Sequence, residues 1–338
     1  MILVTGGTGL VGSHLLYKLA QQNHCIRATY RKGSDLQKVH KVFSYYCKNS
    51  KKLYETIEWV EANLNDLPKL KLAFNGITHV YHCAALISFE TSDYKILRKT
   101  NIKGTANIVN LCIDKNIKKL CYVSSVAALG YDAKLINEET NWKGNHNQSV
   151  YAISKYGAEL EVWRGIQEGV DAVIVNPGVI IGPGFWNSGS GLLFKLVYKK
   201  QRYYTKGVTG YVGVDDVSNA MVNLMDSKIK NQRYILVSEN LSCHKLLTEI
   251  AKELSVKPPS KMASKSMLWF ALLFNWLQSK LGGKKRLLNM TVYRSLTRNS
   301  NYSSKKISSD LKSFEFTAVS KAIQQAGQSF LADDSVWR

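Results

Sequence analysis

A phenol and an ammonium stand four residues apart in Tyr151-Ala152-Ile153-Ser154-Lys155, a spacing that makes them neighbours on one face of a helix. A cation beside a phenol favours the phenolate and lowers the tyrosine pKa, giving an acid or base usable near neutrality. Tyrosine and lysine at this spacing are common by chance. What lifts this pair is Ser124-Ser125, which closes an apolar run and leads into a loop, where a hydroxyl could join them at the carboxyl edge of a sheet. A second constellation opens the chain: Thr5-Gly6-Gly7-Thr8-Gly9-Leu10-Val11-Gly12 sets three glycines as G-x-x-G-x-x-G between a first strand and a first helix. One glycine permits the tight turn, the next lets the backbone approach a pyrophosphate, and the third lets helix and strand pack closely, with the phosphate on the helix N-terminus. The bland reading is a merely tight β-α turn, and the strand–turn–helix context weighs against it.

The end of the second strand separates the two nicotinamide dinucleotides, because an acidic side chain there hydrogen-bonds the ribose 2′-hydroxyl of NAD. This chain has Tyr30-Arg31-Lys32 instead. A planar, permanently charged guanidinium suits a 2′-phosphate, so NADP(H) is favoured over NAD(H). Asp35 follows within reach of a ribose, and the bland reading of Arg31 and Lys32 is a solvated loop.

These residues need a scaffold, and its pattern is legible. Short β-branched or apolar runs at Ile2–Thr5, Ile26–Tyr30, Glu58–Glu61, His79–Cys83, Lys119–Ser124 and Ala172–Asn176 read as buried strands. Helix-period segments include Gly12–Gln22, Asp93–Lys115 and Tyr151–Glu168. Right-handed crossovers wind such units into an α/β fold, a Rossmann-type doubly wound parallel sheet. After Pro183 the pattern breaks into short pieces, which predicts a smaller, interleaved C-terminal α/β substrate lobe. The expected division is a dinucleotide-binding domain over 1–183, with 211–238 returning to its sheet, and a substrate lobe over 184–210 and 239–338. Within the returning segment, Tyr211–Val214 and Arg233–Ser238 read as strands around a helix beginning near Asp216.

Taken together, T-G-x-x-G-x-x-G, the serine ahead of Y-x-x-x-K, and Asn176-Pro177-Gly178-Val179-Ile180-Ile181-Gly182-Pro183 resemble an extended short-chain dehydrogenase/reductase. The similarity runs over nearly the whole chain: His82-Cys83-Ala84-Ala85, Asn101-Ile102-Lys103-Gly104-Thr105, Tyr211-Val212-Gly213-Val214-Asp215-Asp216 and the closing Asn301-Tyr302-Ser303-Ser304-Lys305-Lys306 all fit it. The resemblance implies Tyr151 as proton donor or acceptor, Lys155 holding the nicotinamide ribose and tuning Tyr151, and Ser125, rather than Ser124, orienting the substrate oxygen. It matches Asn101 to an asparagine linked to a proton relay, a structural role in its helix being the alternative. It also puts Pro177 and Val179 along the nicotinamide and Ala84 and Ala85 on the adenosine and diphosphate side. Two departures stand out. Asn63-Leu64 replaces the usual Asp-Leu against adenine, where asparagine still offers a donor and an acceptor. Gly213 replaces a common histidine, which would widen a cavity or be a local variant.

Within that family the pattern is closest to the dihydroflavonol reductase and 3β-hydroxysteroid dehydrogenase branch. The expected reaction is reduction of a ketone or aldehyde, or oxidation of the corresponding alcohol, on a small organic, flavonoid-like or steroid-like substrate. A nucleotide-sugar epimerase or dehydratase with tightly bound NAD is the first alternative. Against it, Val208-Thr209-Gly210-Tyr211 lacks the arginine that grips a diphosphate in such enzymes, although Arg202 and Lys206 are nearby. A non-catalytic dinucleotide-binding protein is the second alternative, opposed by the intact Ser, Tyr and Lys.

Composition sets the remaining bounds. The 338 residues allow two domains or one with an appended lobe, and 45% apolar with 21% charged residues is ordinary for a globular chain. Net charge is +21. Eleven Lys or Arg against Asp310 alone fall between Lys261 and Lys312, beside the apolar run Met267–Leu277. That run is shorter than the roughly 20 residues of a spanning helix. It reads as a lid over the substrate pocket in preference to a helix in a membrane interface. Facing an open pocket, the basic segment would steer an anionic substrate. Nucleic acid is not expected, for want of a recognition motif. The six cysteines lack metal-ligand spacing, no metal site is expected, and they read as reduced, mostly buried thiols. With no signal peptide visible, a cytoplasmic location is expected, and a homodimer through the helices at Asp93–Lys115 and Tyr151–Glu168 would be usual for similar proteins.

Overall fold

The computed structural model describes residues 1–130, 134–144, 148–264, 266–267, 269 and 290–333. Seven parallel strands form the central sheet: β1 (Ile2–Thr5), β2 (Ile26–Tyr30), β3 (Ile57–Glu61), β4 (His79–His82), β5 (Lys119–Val123), β6 (Ala172–Pro177) and β10 (Gln232–Leu236), in the order β10-β6-β5-β4-β1-β2-β3. The order reverses between β1 and β4. A doubly wound sheet opens a crevice at that point, outside the carboxyl ends of its strands.

Helices cover both faces, which is why β5 and β6 are buried at every position. On one face α1 (Leu10–Gln21), α2 (Leu36–Ser44) and α9 (Val214–Asp226) pack on Val4, Tyr81, Cys121 and Val173, with the short α3 (Ser50–Glu55) beside α2. On the other, α4 (Leu67–Ala73), α6 (Gly104–Asp114) and α7 (Val150–Gln167) pack on Leu3, Val80, Leu120, Tyr122 and Ile174. The alternation of Cys121 and Tyr122 between the two cores is the period of two expected of a strand.

The helix expected over Asp93–Lys115 is not uniform. A 3₁₀ turn (Thr91–Asp93) leads into α5 (Tyr94–Leu97), a π-helical stretch (Arg98–Lys103) and then α6. The widened turn coincides with the buried Asn101, whose amide bonds outside its own helix.

The smaller lobe has its own core of Trp186, Phe194, Tyr211, Leu246, Ile250, Ile323 and Phe330. Its sheet joins β7 (Val179–Ile181), β9 (Val208–Gly213) and β11 (Glu239–Ser242), and β8 (Tyr203–Tyr204) pairs separately with β12 (Lys261–Met262). The helices α8 (Gly191–Tyr198), α10 (Cys243–Glu253), α11 (Met290–Thr297), α12 (Lys305–Asp310) and α13 (Val319–Leu331) also follow β7 in the chain. Here one expectation is corrected. The segment around Tyr211 does not rejoin the central sheet: β9 pairs with β7 and β11, and Val214 already begins α9. The place beside β6 is taken by β10, from Gln232 opposite Val173 to Leu236 opposite Pro177, so of the segment 211–238 only β10 makes the return.

The cysteines also differ from expectation: Cys112 and Cys121 are buried, Cys47, Cys83 and Cys243 are half-buried, and Cys25 is exposed. Gly213 lines a small cavity of about 50 Å³, and a Cβ there would stand 3.2 Å from Ala322 Cβ, so the missing side chain lets α13 approach β9. Apart from Met267 and Trp269, the apolar run Met267–Leu277 lies outside the described residues. Among the described residues no helix is long and apolar enough to cross a membrane.

Candidate active site

A cleft of about 560 Å³ opens at the carboxyl ends of β1 to β4, lined by Gly6, Thr8, Gly9, Arg31, Asn63, Leu64, Ala84 and Ala85 among others. Its floor is the turn from β1 into α1. Gly6 has φ +72°, and a Cβ on it would lie 2.5 Å from Ala84 N. A Cβ on Gly12 would lie 2.2 Å from Gly6 O, so only glycine closes this turn. Gly9 caps α1 without a side-chain hydrogen bond, and no acidic residue sits in the first turn. The first amides of α1 therefore carry their partial positive charge with no side chain on the cap to meet it. Leu10 and Val11 begin α1, and Lys32 is exposed beyond Arg31. Asp35 is engaged elsewhere: it caps α2 by accepting from Lys38 N–H (3.3 Å) and pairs with Lys38 Nζ at 3.6 Å.

Strand register places a row of polar groups beside this cleft. Thr5 is opposite His82, and His82 is opposite Tyr122, so the three share one face of β1, β4 and β5. Thr5 Oγ1 and His82 Nδ1 are 2.6 Å apart, and His82 Nε2 and Thr105 Oγ1 are 3.0 Å apart. The Tyr122 ring stacks on that of His82 at 5.4 Å and carries a hydroxyl. That hydroxyl accepts from Lys155 Nζ at 2.8 Å, and Nζ also donates to Val123 O at 2.8 Å. The row runs unbroken from the glycine-rich turn to Lys155. Burial dominates its electrostatics: it lowers the His82 imidazole to about 3 and the Lys155 ammonium to about 7, with Glu159 and Cys83 pulling Lys155 the other way. Burial likewise pushes the Cys83 thiol up to about 12.

A second cavity, of about 240 Å³, brings Ser125, Tyr151 and Val179 together. Tyr151 reaches it from the first turn of α7, whose N-terminus Ser149 caps by accepting from Ala152 N–H at 2.9 Å. Phe89 meets the Tyr151 ring edge-on at 5.7 Å. The two serines part company here. Ser124 is buried and donates to Glu159 Oε2 at 2.6 Å, whereas Ser125 faces the cavity and accepts from Ala127 N–H at 3.1 Å. Pro177 is buried at the end of β6, and the next residue, Gly178, lines the cavity. Asn101 faces inward, donating to Leu86 O and Ser154 Oγ (both 2.9 Å) and accepting from Leu86 N–H (2.7 Å). It ties the loop after β4 to α7.

The family description for NAD-dependent epimerases/dehydratases matches residues 2–236. The chain belongs to that family. It is an NAD(P)-dependent oxidoreductase of the extended short-chain dehydrogenase/reductase type. It is similar to a putative dihydroflavonol 4-reductase of Synechocystis, 29% identical over 82% of this chain and 78% of the relative. Sterol demethylase protein B of Methylococcus capsulatus is 25% identical over 77% of this chain and 76% of its own. The crystal structure of gox2253 superposes with a TM-score of 0.80 at 25% identity, over 98% of each chain.

The cleft fits a nicotinamide dinucleotide. The glycine-closed turn and the amides of α1 suit its pyrophosphate, and Ala84 and Ala85 border the same space. Two site residues escape a reading of the sequence alone. Tyr122 is hidden inside an apolar strand, and its one signal is its register with His82. Glu159 accepts from Ser124, Asn176 and Arg233, fixing the strand end that carries Ser125. Its signal is the repeat of four that continues from Tyr151 through Lys155.

Proposed function

We propose that the protein is an NADP(H)-dependent reductase of a ketone or aldehyde, or a dehydrogenase of the matching alcohol, acting on a small organic, flavonoid-like or steroid-like molecule. The observation that carries this reading is that Ser125 and Tyr151 line one cavity while Lys155, one helical turn beyond Tyr151, is buried with its ammonium on the Tyr122 hydroxyl and Val123 O. The Synechocystis relative is named for a dihydroflavonol and the Methylococcus relative for a sterol, which supports the substrate range. Arg31 in the cleft wall, with Asp35 held by α2, supports the 2′-phosphorylated dinucleotide.

When bound, the dinucleotide supplies the hydride that reaches the carbonyl carbon. Tyr151 gives its phenolic proton to the carbonyl oxygen. Ser125 orients that oxygen: its Oγ already accepts from Ala127, which leaves the hydroxyl proton for the substrate. Lys155 would hold the nicotinamide ribose and, when charged, would lower the Tyr151 pKa. Asn101 is a positioning residue, because its amide fastens α7 to the loop after β4.

Tyr151→Phe tests the assignment. General acid catalysis contributes about 10²–10⁴-fold, so turnover should fall by that order while dinucleotide affinity stays within a few-fold. Full activity in this variant refutes the assignment.

A further inference from the structure

The cations of this chain are not spread evenly. Residues 184–214 carry Lys195, Lys199, Lys200, Arg202 and Lys206 and no Asp or Glu, and residues 254–309 carry eleven Lys or Arg and again no acid. Most of the net charge of +21 therefore comes from these two segments. In the structure they meet. α8 ends at Tyr198, the chain turns at Lys200, whose φ is +58°, and β8 then pairs with β12, Lys261 opposite Tyr203 and Met262 opposite Tyr204. Lys261 N–H donates to Arg202 O at 3.0 Å and Ala263 N–H to Tyr204 O at 2.9 Å, and α10 packs against both α8 and β8.

α8 puts Phe194 and Val197 into the core of the lobe. On its other side Leu192, Lys195, Leu196 and Lys199 follow the i, i+3, i+4, i+7 spacing of a single helical face, and both leucines are exposed. Tyr203 and Met262 add exposed apolar area at the adjoining strand pair, beside the exposed Lys200, Arg202 and Lys261. Lys195 Nζ donates to Asn187 Oδ1 at 2.5 Å. Among the described residues none of Lys195, Lys199, Lys200, Arg202 and Lys261 pairs with a carboxylate.

Leucines and lysines mixed on one face, with no acid to neutralise them, leave apolar area in water and like charges side by side. A bilayer with anionic headgroups relieves both. Its surface potential attracts the cations, and apolar side chains enter the boundary between headgroup and acyl chain. Nucleic acid would meet the charge alone, since a phosphate backbone offers nothing to an exposed leucine. We propose that the corner formed by α8, β8 and β12 is a docking surface for a membrane rich in anionic phospholipid, which the protein binds peripherally and reversibly. None of the groups assigned to catalysis lies on this surface, so it stands whether or not the reductase reading above holds.

The test is sedimentation of the full chain with vesicles of phosphatidylcholine, alone or mixed with phosphatidylglycerol. At low salt the mixed vesicles should bind at least about tenfold more tightly, and physiological salt should weaken that binding severalfold. A basic protein adheres somewhat to any anionic surface, so variants decide the matter. Leu192→Ser/Leu196→Ser leaves every charge in place and should lower the partition about tenfold. Lys195→Gln/Lys199→Gln should lower it by about the same factor. Lys48→Gln/Lys52→Gln, which removes the same charge at exposed positions in and beside α3, should change it by less than about threefold. No binding to the mixed vesicles, equal binding to both kinds, equal losses for the two lysine pairs, or no loss for the leucine pair overturns the proposal. Polyuridylate at equal phosphate concentration should bind more weakly than the mixed vesicles, and tighter binding to it overturns the lipid assignment.

Discussion

Replacing Tyr122 by Phe removes one hydroxyl and leaves the ring that fills the core between β5 and α7. The hydroxyl accepts from Lys155 Nζ at 2.8 Å, and Val123 O is the ammonium's other acceptor among the described residues. A hydrogen bond to a charged group is worth about 1.5–3 kcal/mol, and about 1.36 kcal/mol corresponds to one pKa unit. Loss of this bond disfavours the ammonium and should lower the Lys155 pKa from about 7 by roughly one unit at the lower figure. If charged Lys155 keeps Tyr151 acidic, the rate of carbonyl reduction falls as pH rises through the Lys155 pKa. The variant should therefore lose activity at lower pH, its basic limb displaced downward by about one unit, with less change in kcat/KM on the acid side of that limb. The assay is kcat/KM against pH for the same carbonyl substrate in both proteins. A Tyr122→Phe profile whose basic limb coincides with that of the parent refutes the coupling, even when the absolute rate has fallen, since a merely structural loss scales the curve without moving it.

Two further outcomes are expected. Arg31→Ala should weaken NADPH binding by about 10–100-fold, the loss of a charge-assisted contact to the 2′-phosphate, with NADH affinity within a few-fold; equal losses for both dinucleotides, measured by fluorescence titration, would count against the assignment of Arg31. Acid should destabilise the fold through two buried histidines, since burial lowers His14 from 6.5 to about 4 and His82 from 6.5 to about 3. Both are neutral in the native state, so the unfolded chain takes up protons first as pH falls below 6.5, and the stability they contribute above 6.5 is lost progressively down to those lower values. Between about pH 6.5 and 5 this amounts to roughly 3 kcal/mol for the two together, and a urea midpoint that does not fall over that interval would show the histidines are not buried in solution.

The central sheet is legible because its signals are local. Each strand of β1 to β6 is a short apolar run bounded by turn chemistry, and the glycine-rich turn announces both a strand end and a helix start. The contrast between the two serines follows strand alternation, which turns adjacent side chains to opposite sides: Ser124 goes into the core against Glu159 and Ser125 toward the cavity. What eludes the sequence depends on partners distant along the chain. Tyr211–Val214 has the apolar character of a central strand, but the edge beside β6 is filled by β10, and nothing local to residues 208–213 records that. Tyr122 looks like any core aromatic until register sets it against His82 and α7 brings Lys155 to its hydroxyl. Arg294 and Arg298 are visible as charge, but their place at the cavity depends on Gly207, far earlier in the chain.

That last dependence separates two kinds of specification in the molecule. The groups assigned to proton transfer hang from β5 and α7, and their positions follow from parallel register in a sheet buried on both faces, where a slip of one residue would turn Tyr122 into the opposite core. Arg294, Arg298 and Ser300, on the other side of the same cavity, hang from α11 and the chain after it, held at the edge of a small sheet by a few backbone bonds. A bulky side chain at Gly207 would push the Leu296–Ser300 segment away from β9 without touching Ser125, Tyr151 or Lys155. The two sides of the cavity wall are therefore specified separately, Ser125 and Tyr151 by the central sheet and α7, and Arg294, Arg298 and Ser300 by the edge of the small sheet. The cost of a change at Gly207 falls on the single bridge between Val208 and Asn299, a local interaction of the smaller lobe, and not on the seven-stranded sheet that dominates the fold.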